Sequence, residues 1–183
     1  MHLKSTLAER IPPLLATIIY VALAATSAQA QFLWSERIAS TTSWPEGEPN
    51  IGLSLDTNGN CYVTGWFDGT NNFGGIIRTN KSSAGSDIFI AKYDVNGACQ
   101  WVNQAGGTTS NYGRAIGTDV AGNVYVTGGF SGSAKFGSTT MTAPLGTEFF
   151  LAQYDKNGSL KWVRQSTGGT TDVYGIGLAA CRT

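Results

Sequence analysis

The sequence predicts an all-β protein assembled from repeated antiparallel sheets of about four short strands each. Three observations carry that prediction. Valine, tyrosine, phenylalanine and tryptophan gather in short runs, which suits a pleated, packed surface. Turns containing Asn and Gly separate those runs, and Asn-Gly between strand patterns is a strong hairpin signal. The runs recur at a nearly constant spacing, and no segment after residue 30 shows a helical period. Composition agrees. Of 183 residues, 24 are glycine and 13% are charged, against about 25% charged in ordinary globular chains.

Residues 1–30 have the layout of an export signal, expected as an apolar helix. Lys4 and Arg10 supply a positive start, tempered by Glu9. Leu14 to Ala25 is apolar apart from Thr17 and Tyr20. Ala28-Gln29-Ala30 fits the small-x-small cleavage pattern, which places the mature start at Gln31. The apolar run is short for a membrane span, so no membrane association is expected after cleavage. The product would be secreted or held at the cell surface. Twelve Lys+Arg balance twelve Asp+Glu without a basic cluster, which argues against nucleic-acid binding. The single histidine is His2, so the cleaved chain has none. That excludes Ser-His-Asp and Cys-His catalysis and histidine metal ligation.

The chain repeats itself after the export segment. Asp56-Thr-Asn-Gly-Asn-Cys-Tyr-Val-Thr-Gly65 returns as Asp119-Val-Ala-Gly-Asn-Val-Tyr-Val-Thr-Gly128, and Phe73-Gly74 returns as Phe136-Gly137. Asp87 to Asp94 returns as Glu148 to Asp155, now at an offset of 61 rather than 63, so an indel lies in the loop between these blocks. Asn96-Gly97, Trp101-Val102, Gly106-Gly107 and Tyr112-Gly113 return as Asn157-Gly158, Trp162-Val163, Gly168-Gly169 and Tyr174-Gly175. Trp34 opens an earlier, degraded copy of the Trp block.

Each copy reads as four strands. In the second they are Ala115–Thr118, Val124–Thr127, Phe149–Tyr154 and Leu160–Gln165. Turns are expected at 119–123 and 155–158, and a Gly/Ser/Thr-rich loop between the second and third strands. Both faces of these strands are apolar. Cys61, Val63 and Gly65 point one way; Tyr62, Thr64 and Trp66 point the other. Such sheets need cover on both sides, and a radial stack of small sheets, a β-propeller, provides it.

The blocks D-x-x-G-N-x-Y-V-T-G, F-G, D-x-F-x-A-K-Y-D-x-N-G and W-V-x-Q-x-G-G resemble the bacterial SBBP-type β-propeller repeat. They stand here as Asp119 to Gly128, Phe136-Gly137, Glu148 to Gly158 and Trp162 to Gly169, with a parallel copy from Asp56 to Gly107. Glu148 and Gln153 are mild departures. The resemblance implies blades of a secreted or surface repeat protein, and it implies no catalytic residues. The organisation expected is a signal peptide (1–30), a partial preceding blade and connection (31–55), blade repeats at 56–118 and 119–176, and the start of another repeat (177–183), where Cys181 takes the place of the repeat's Asp. Closed propellers use about four to eight blades. Two blades make an incomplete propeller, so the expectation is a fragment of a longer repeat protein, able to self-associate through open blade edges.

Candidate residues have structural readings beside the chemical ones. Asp56, Asn58 and Asn60, and likewise Asp94 and Asn96, resemble pieces of calcium loops. A calcium site takes six to eight oxygens, and no bidentate Glu follows, so turn chemistry explains them better. Cys61 and Cys99 fall on the second and fourth strands of one blade, about two strand spacings apart and beyond disulfide reach. They read as small core hydrophobes, with Val124 and Leu160 as counterparts, while Cys181 is left free. Trp101 and Trp162 recur, which suits blade packing over sugar stacking. Trp66, whose counterpart is Gly129, is a weak binding candidate. Glu46 and Glu48 lie in a Pro-rich connection.

No catalytic, metal or cofactor residue is assigned, and no cofactor is expected. The chain reads as a non-enzymatic scaffold or interaction module. The alternative is a glycan- or protein-binding module using the loops Asn71–Asn80 and Ser131–Leu145.

Overall fold

The computed structural model describes residues 16–23, 31–40, 51–81, 85–167 and 172–180. All of their regular elements are strands, and every strand pair is antiparallel. Strand β1 (Ala16–Leu23) pairs with β2 (Gln31–Ser40), setting Val21 opposite Trp34. This differs from the helix expected for the export segment. Thr17, Ile18, Ile19, Tyr20 and Val21 are β-branched or aromatic, and such residues favour the pleated conformation. The rest of that segment, with the cleavage site, lies outside the described residues, as do Glu46, Glu48, Gly168, Gly169 and Cys181.

The next strands are β3 (Gly52–Leu55), β4 (Cys61–Phe67), β5 (Thr70–Asn72), β6 (Ile77–Thr79), β7 (Asp87–Tyr93) and β8 (Cys99–Gly107). After them come β9 (Asn111–Thr118), β10 (Val124–Phe136), β11 (Thr139–Tyr154) and β12 (Leu160–Gln165). Two four-stranded meanders result, β3-β4-β7-β8 and β9-β10-β11-β12. They join where the far end of β10, Ala134–Phe136, pairs with the end of β8. A further sheet, β1-β2-β5-β6, forms around the hairpin inserted into the first meander. The described strands close neither a barrel nor a ring.

One turn is used four times. The carboxylate Oδ1 of Asp56 accepts the backbone N–H groups of Asn58 and Asn60, both at 2.9 Å. Asp94, Asp119 and Asp155 repeat the arrangement at 2.8–3.0 Å. The fourth residue of each turn is a glycine with φ between +80° and +84° (Gly59, Gly97, Gly122, Gly158), where a Cβ meets the steric penalty of the left-handed region. Asp supplies the acceptor and Gly the conformation, so each D-x-x-G stretch folds as a tight hairpin.

The segment expected as a loop between the second and third strands is largely strand. β10 runs to Phe136 and β11 starts at Thr139, which overturns the reading of Ser131–Leu145 as a loop. Alternation explains this: Ala134, Phe136 and Ala143 are buried while Lys135, Thr140 and Thr142 are exposed, and threonine suits a half-buried pleat. In the first copy the same place holds β5 and β6. The F-G block at each hairpin turns a phenylalanine back into the meander. Phe73 packs between Phe67 and Phe89, with centroids at 5.5 and 5.0 Å. Phe136 packs between Phe130 and Phe150 at 6.4 and 4.8 Å.

Strand alternation sorts the core into two layers. Cys61, Val63, Phe67, Phe89, Ala91 and Val102 form one face of the first meander. Tyr62, Ile88, Ile90 and Ala105 form the opposite face, and they share one core with Val124, Val126, Phe150, Ala152 and Val163 of the second. The meanders therefore stack face to face, with the non-polar area between them removed from water.

Candidate functional site

The stacking surface is built twice from equivalent residues. On the first meander β4 contributes Tyr62 and Thr64, β7 contributes Ile90 and Lys92, and β8 contributes Trp101 and Asn103. Their register is Tyr62–Lys92–Trp101 and Thr64–Ile90–Asn103. On the second meander the same rows are Tyr125–Gln153–Trp162 and Thr127–Leu151–Arg164. Thr64 and Thr127 each donate to the carbonyl of a phenylalanine on the adjacent strand, Phe89 at 2.8 Å and Phe150 at 2.6 Å. Each tyrosine packs tilted against its tryptophan, Tyr62 on Trp101 at 6.0 Å and Tyr125 on Trp162 at 6.3 Å.

The first face is occupied. The Trp101 indole N–H donates to the carbonyl of Lys156 at 3.2 Å, and Lys92 Nζ donates to the same oxygen at 3.3 Å. Asn103 Nδ2 donates to Gly158 O at 2.5 Å. The Asp155–Gly158 turn of the second meander is thus gripped by three side chains of the first. Trp101, expected to pack rather than bind sugar, is half-buried and does pack, but its partner is the neighbouring unit's turn. Strand β9 seals the edge. Thr118 Oγ1 donates to Leu55 O at 2.8 Å, and Asn111 N donates to Ser86 O at 2.9 Å. Gly113 is required there, since a Cβ on it would stand 2.3 Å from Thr64 Oγ1 and 2.9 Å from Gly65 O.

The second face is partly covered by residues 172–180, which follow the path of β9. Val173 N donates to Thr147 O at 2.8 Å, the counterpart of the Asn111–Ser86 bond. Gly175 lies against Thr127 as Gly113 lies against Thr64. Tyr112 meets Trp66 edge-on at 5.8 Å, while the ring of Tyr174 fills the space above Gly129. Trp66 is therefore half-buried against Tyr112 of β9 rather than presented as an open platform. The Arg114 guanidinium sits 5.8 Å from the Tyr112 ring and 4.7 Å from the Tyr174 ring, tying the two segments together. Among the described residues, none beyond 172–180 covers the rest of this face. Asp119, Tyr125, Leu151, Leu178, Ala179 and Ala180 line a cavity of about 330 Å³.

The electrostatics follow from the turns. Burial works to raise the Asp56 carboxyl, but hydrogen bonds from the Asn60 side chain and backbone, Asn58 N–H and the Tyr62 hydroxyl outweigh it and hold it below its ordinary value. Asp119 is lowered in the same way, by Asn123, Tyr125 and Ala121 against burial. Both oxygens of each carboxylate are engaged by the turn's own residues. Cys61 and Cys99 are not joined to each other; both lie opposite Tyr93, one on either side of β7. Burial pushes the Cys61 thiol up to about 12, which keeps it protonated and unreactive.

A separate polar cluster anchors the β5–β6 hairpin. Asp87, fully buried, accepts from Lys81 N at 3.0 Å and Gln104 Nε2 at 2.6 Å. Asn71 Nδ2 donates to Asp68 O at 2.6 Å. Burial, and then the charge of Asp87, push the Asp68 carboxyl up. Among the described residues no three His, Cys, Asp or Glu side chains gather as a metal site would require. No helix among them is long and apolar enough to cross a membrane. In the sequence Tyr112-Gly113 and Tyr174-Gly175 stand out only as repeat matches. Their role as the seal between units, and those of Asn103 and Arg114, have no local signature.

No known family model matches the chain, and no curated protein matches it.

Proposed function

We propose that this chain is an exported, non-enzymatic β-propeller repeat protein of the SBBP type, acting as a scaffold or interaction module. One observation supports this most: the first meander receives the second through a set of contacts that residues 172–180 begin again on the second. A surface that recurs in this way serves stacking. The export segment at 1–30 supports secretion or display at the cell surface. A secreting bacterial host tests both parts. The secreted product should have the intact mass of a chain starting at Gln31, and it should melt as one cooperative unit without hydrolysing glycan or peptide substrates. Full-length protein retained in the cytoplasm, or turnover by the pure product, would overturn the proposal.

A second reading has its own observation. Ile77 is 60% exposed and Leu145 is 69% exposed, and they lie within the two segments first considered for binding. Exposed apolar tips of that kind suit a protein or glycan ligand. Glycan-array binding abolished by Ile77→Ser or Leu145→Ser would favour this reading.

A further inference from the structure

The polar cluster that anchors the β5–β6 hairpin leaves three acceptors unused. Asp87 Oδ2 accepts from Lys81 N and Gln104 Nε2. Asp87 Oδ1 accepts from no described residue, and neither do Asp68 Oδ1 and Asn71 Oδ1. All three oxygens are buried, and Asn71 and Asp87 are fully buried as whole residues. We propose that these three oxygens hold one calcium ion between the end of β4, strand β5 and the start of β7.

The backbone brings the three residues together. Phe67 pairs with Asp87 across β4 and β7, so Asp68 follows directly beside that pair. Asn71 Nδ2 donates to the Asp68 carbonyl at 2.6 Å, which turns the amide onto that residue with its oxygen spare. The Asp68 carboxyl feels the charge of Asp87. Gly106 on β8 makes room for Asp87 Oδ1, since a Cβ there would collide with that oxygen. No lysine or arginine among the described residues pairs with either carboxylate.

The chemistry selects the occupant. A buried acceptor left without a donor is costly, and two neighbouring carboxylates add like-charge repulsion. A water molecule donates two hydrogens, so it meets two of the three oxygens and cancels no charge. A divalent cation meets all three and neutralises both carboxylates. Oxygen donors alone select a hard ion over zinc. Calcium takes carboxylate, amide and water oxygens in a flexible geometry, whereas magnesium demands a near-ideal octahedron. A third carboxylate is not needed, because an Asn amide oxygen ligates calcium as well. Three protein oxygens suit the weak range of extracellular modules, a Kd of about 0.1–1 mM.

The second copy of the repeat is the internal comparison. Asp68, Asn71 and Asp87 correspond there to Ser131, Ala134 and Glu148. Ala134 is fully buried and has no side-chain oxygen, and Glu148 accepts from Ser166 Oγ. A hairpin at this place therefore forms without the cluster, and folding alone does not call for the oxygens at 68 and 71. Calcium held by them ties the hairpin that carries Ile77 to β4 and β7.

The test melts the full chain in chelator and in CaCl2 at about ten times that Kd, with MgCl2 as the comparison. Calcium should raise the midpoint by about 3–6 °C. It should also slow amide exchange in β5 and β6 while leaving the hairpin between β10 and β11 unchanged. Asn71→Ala, which copies Ala134, should remove most of the calcium effect. Asp68→Asn should stabilise the chain in chelator and abolish the effect. Asp56→Asn, in the turn that resembles a piece of a calcium loop, should keep it. No rise with calcium, an equal rise with magnesium, or a rise that survives both Asn71→Ala and Asp68→Asn overturns the proposal. If those two variants fail to fold, the parent chain decides: protection by calcium centred on β5 and β6 supports the site, and protection centred elsewhere overturns it.

Discussion

Replacing Ile90 by alanine removes three carbons from the layer between the meanders. Ile90 is fully buried there, between Tyr62 and the apolar face of the second unit. Transfer alone costs about 2.4 kcal/mol at roughly 0.8 kcal/mol per methylene. The unfilled space raises this to about 3–4 kcal/mol, inside the usual range for such truncations. Leu151→Ala removes the same number of carbons at the equivalent position of the second meander. Because that side chain is only half-buried, its cost should be about 1.5–2 kcal/mol, most of the transfer value with little cavity. Urea denaturation reads the difference as a shift in midpoint at unchanged slope. In thermal melts Ile90→Ala should lose on the order of 10 °C, and Leu151→Ala about half of that. Equal losses at the two positions would refute the argument that one face is occupied and the other open.

Other changes probe other parts of the account. Gly113→Ala should cost about 2–3 kcal/mol by driving a methyl into Thr64 and the Gly65 carbonyl, measured by the same urea midpoints. Gly122→Ala, at φ +80°, should cost about 1–2 kcal/mol through turn strain alone, without altering the fluorescence of Trp101. Asp56 and Asp119 are lowered in the fold, so the stability they contribute is complete above the ordinary carboxylate range and is lost as pH falls through their depressed values. Asp68 is raised, so its sign is opposite: its charge costs stability at neutral pH and the cost disappears on acidification. Asp68→Asn should therefore stabilise the chain at pH 7 and flatten that part of the pH profile, while Asp119→Asn should destabilise it most at neutral pH. Cys99, half-buried, should react with an aromatic disulfide reagent in the native state well before Cys61, whose thiol is pushed up to about 12; equal rates would contradict its burial.

Local chemistry made much of this fold readable. Each D-x-x-G turn carries its acceptor and its left-handed residue within four positions, so all four hairpins were visible in the chain. The alternation from Cys61 to Trp66 foretold two apolar faces, and those faces are the two layers of the core. The errors have local causes too. Serine and glycine between Ser131 and Leu145 suggested a loop, yet the alternation of Ala134, Phe136 and Ala143 with polar residues builds a hairpin. The apolar run from Ala16 to Leu23 suggested a helix, but its β-branched content folds as a strand against Gln31–Ser40. The candidate face was the least legible. The grip of Trp101 on Lys156 spans 55 residues, and nothing near Trp101 announces an acceptor that distant. The repeat showed that Trp101 and Trp162 are equivalent; only the packing shows that one is engaged and the other is not.

The face-to-face stacking of the meanders is tested most directly by nuclear Overhauser contacts from the Trp101 indole. Its ring lies against Gly158, close enough that a Cβ placed there would be 3.0 Å from Cδ2. The account predicts strong contacts from the indole to the Asp155–Gly158 turn, together with slow exchange of the indole N–H. An indole that exchanges freely and shows contacts only to its own meander would contradict it.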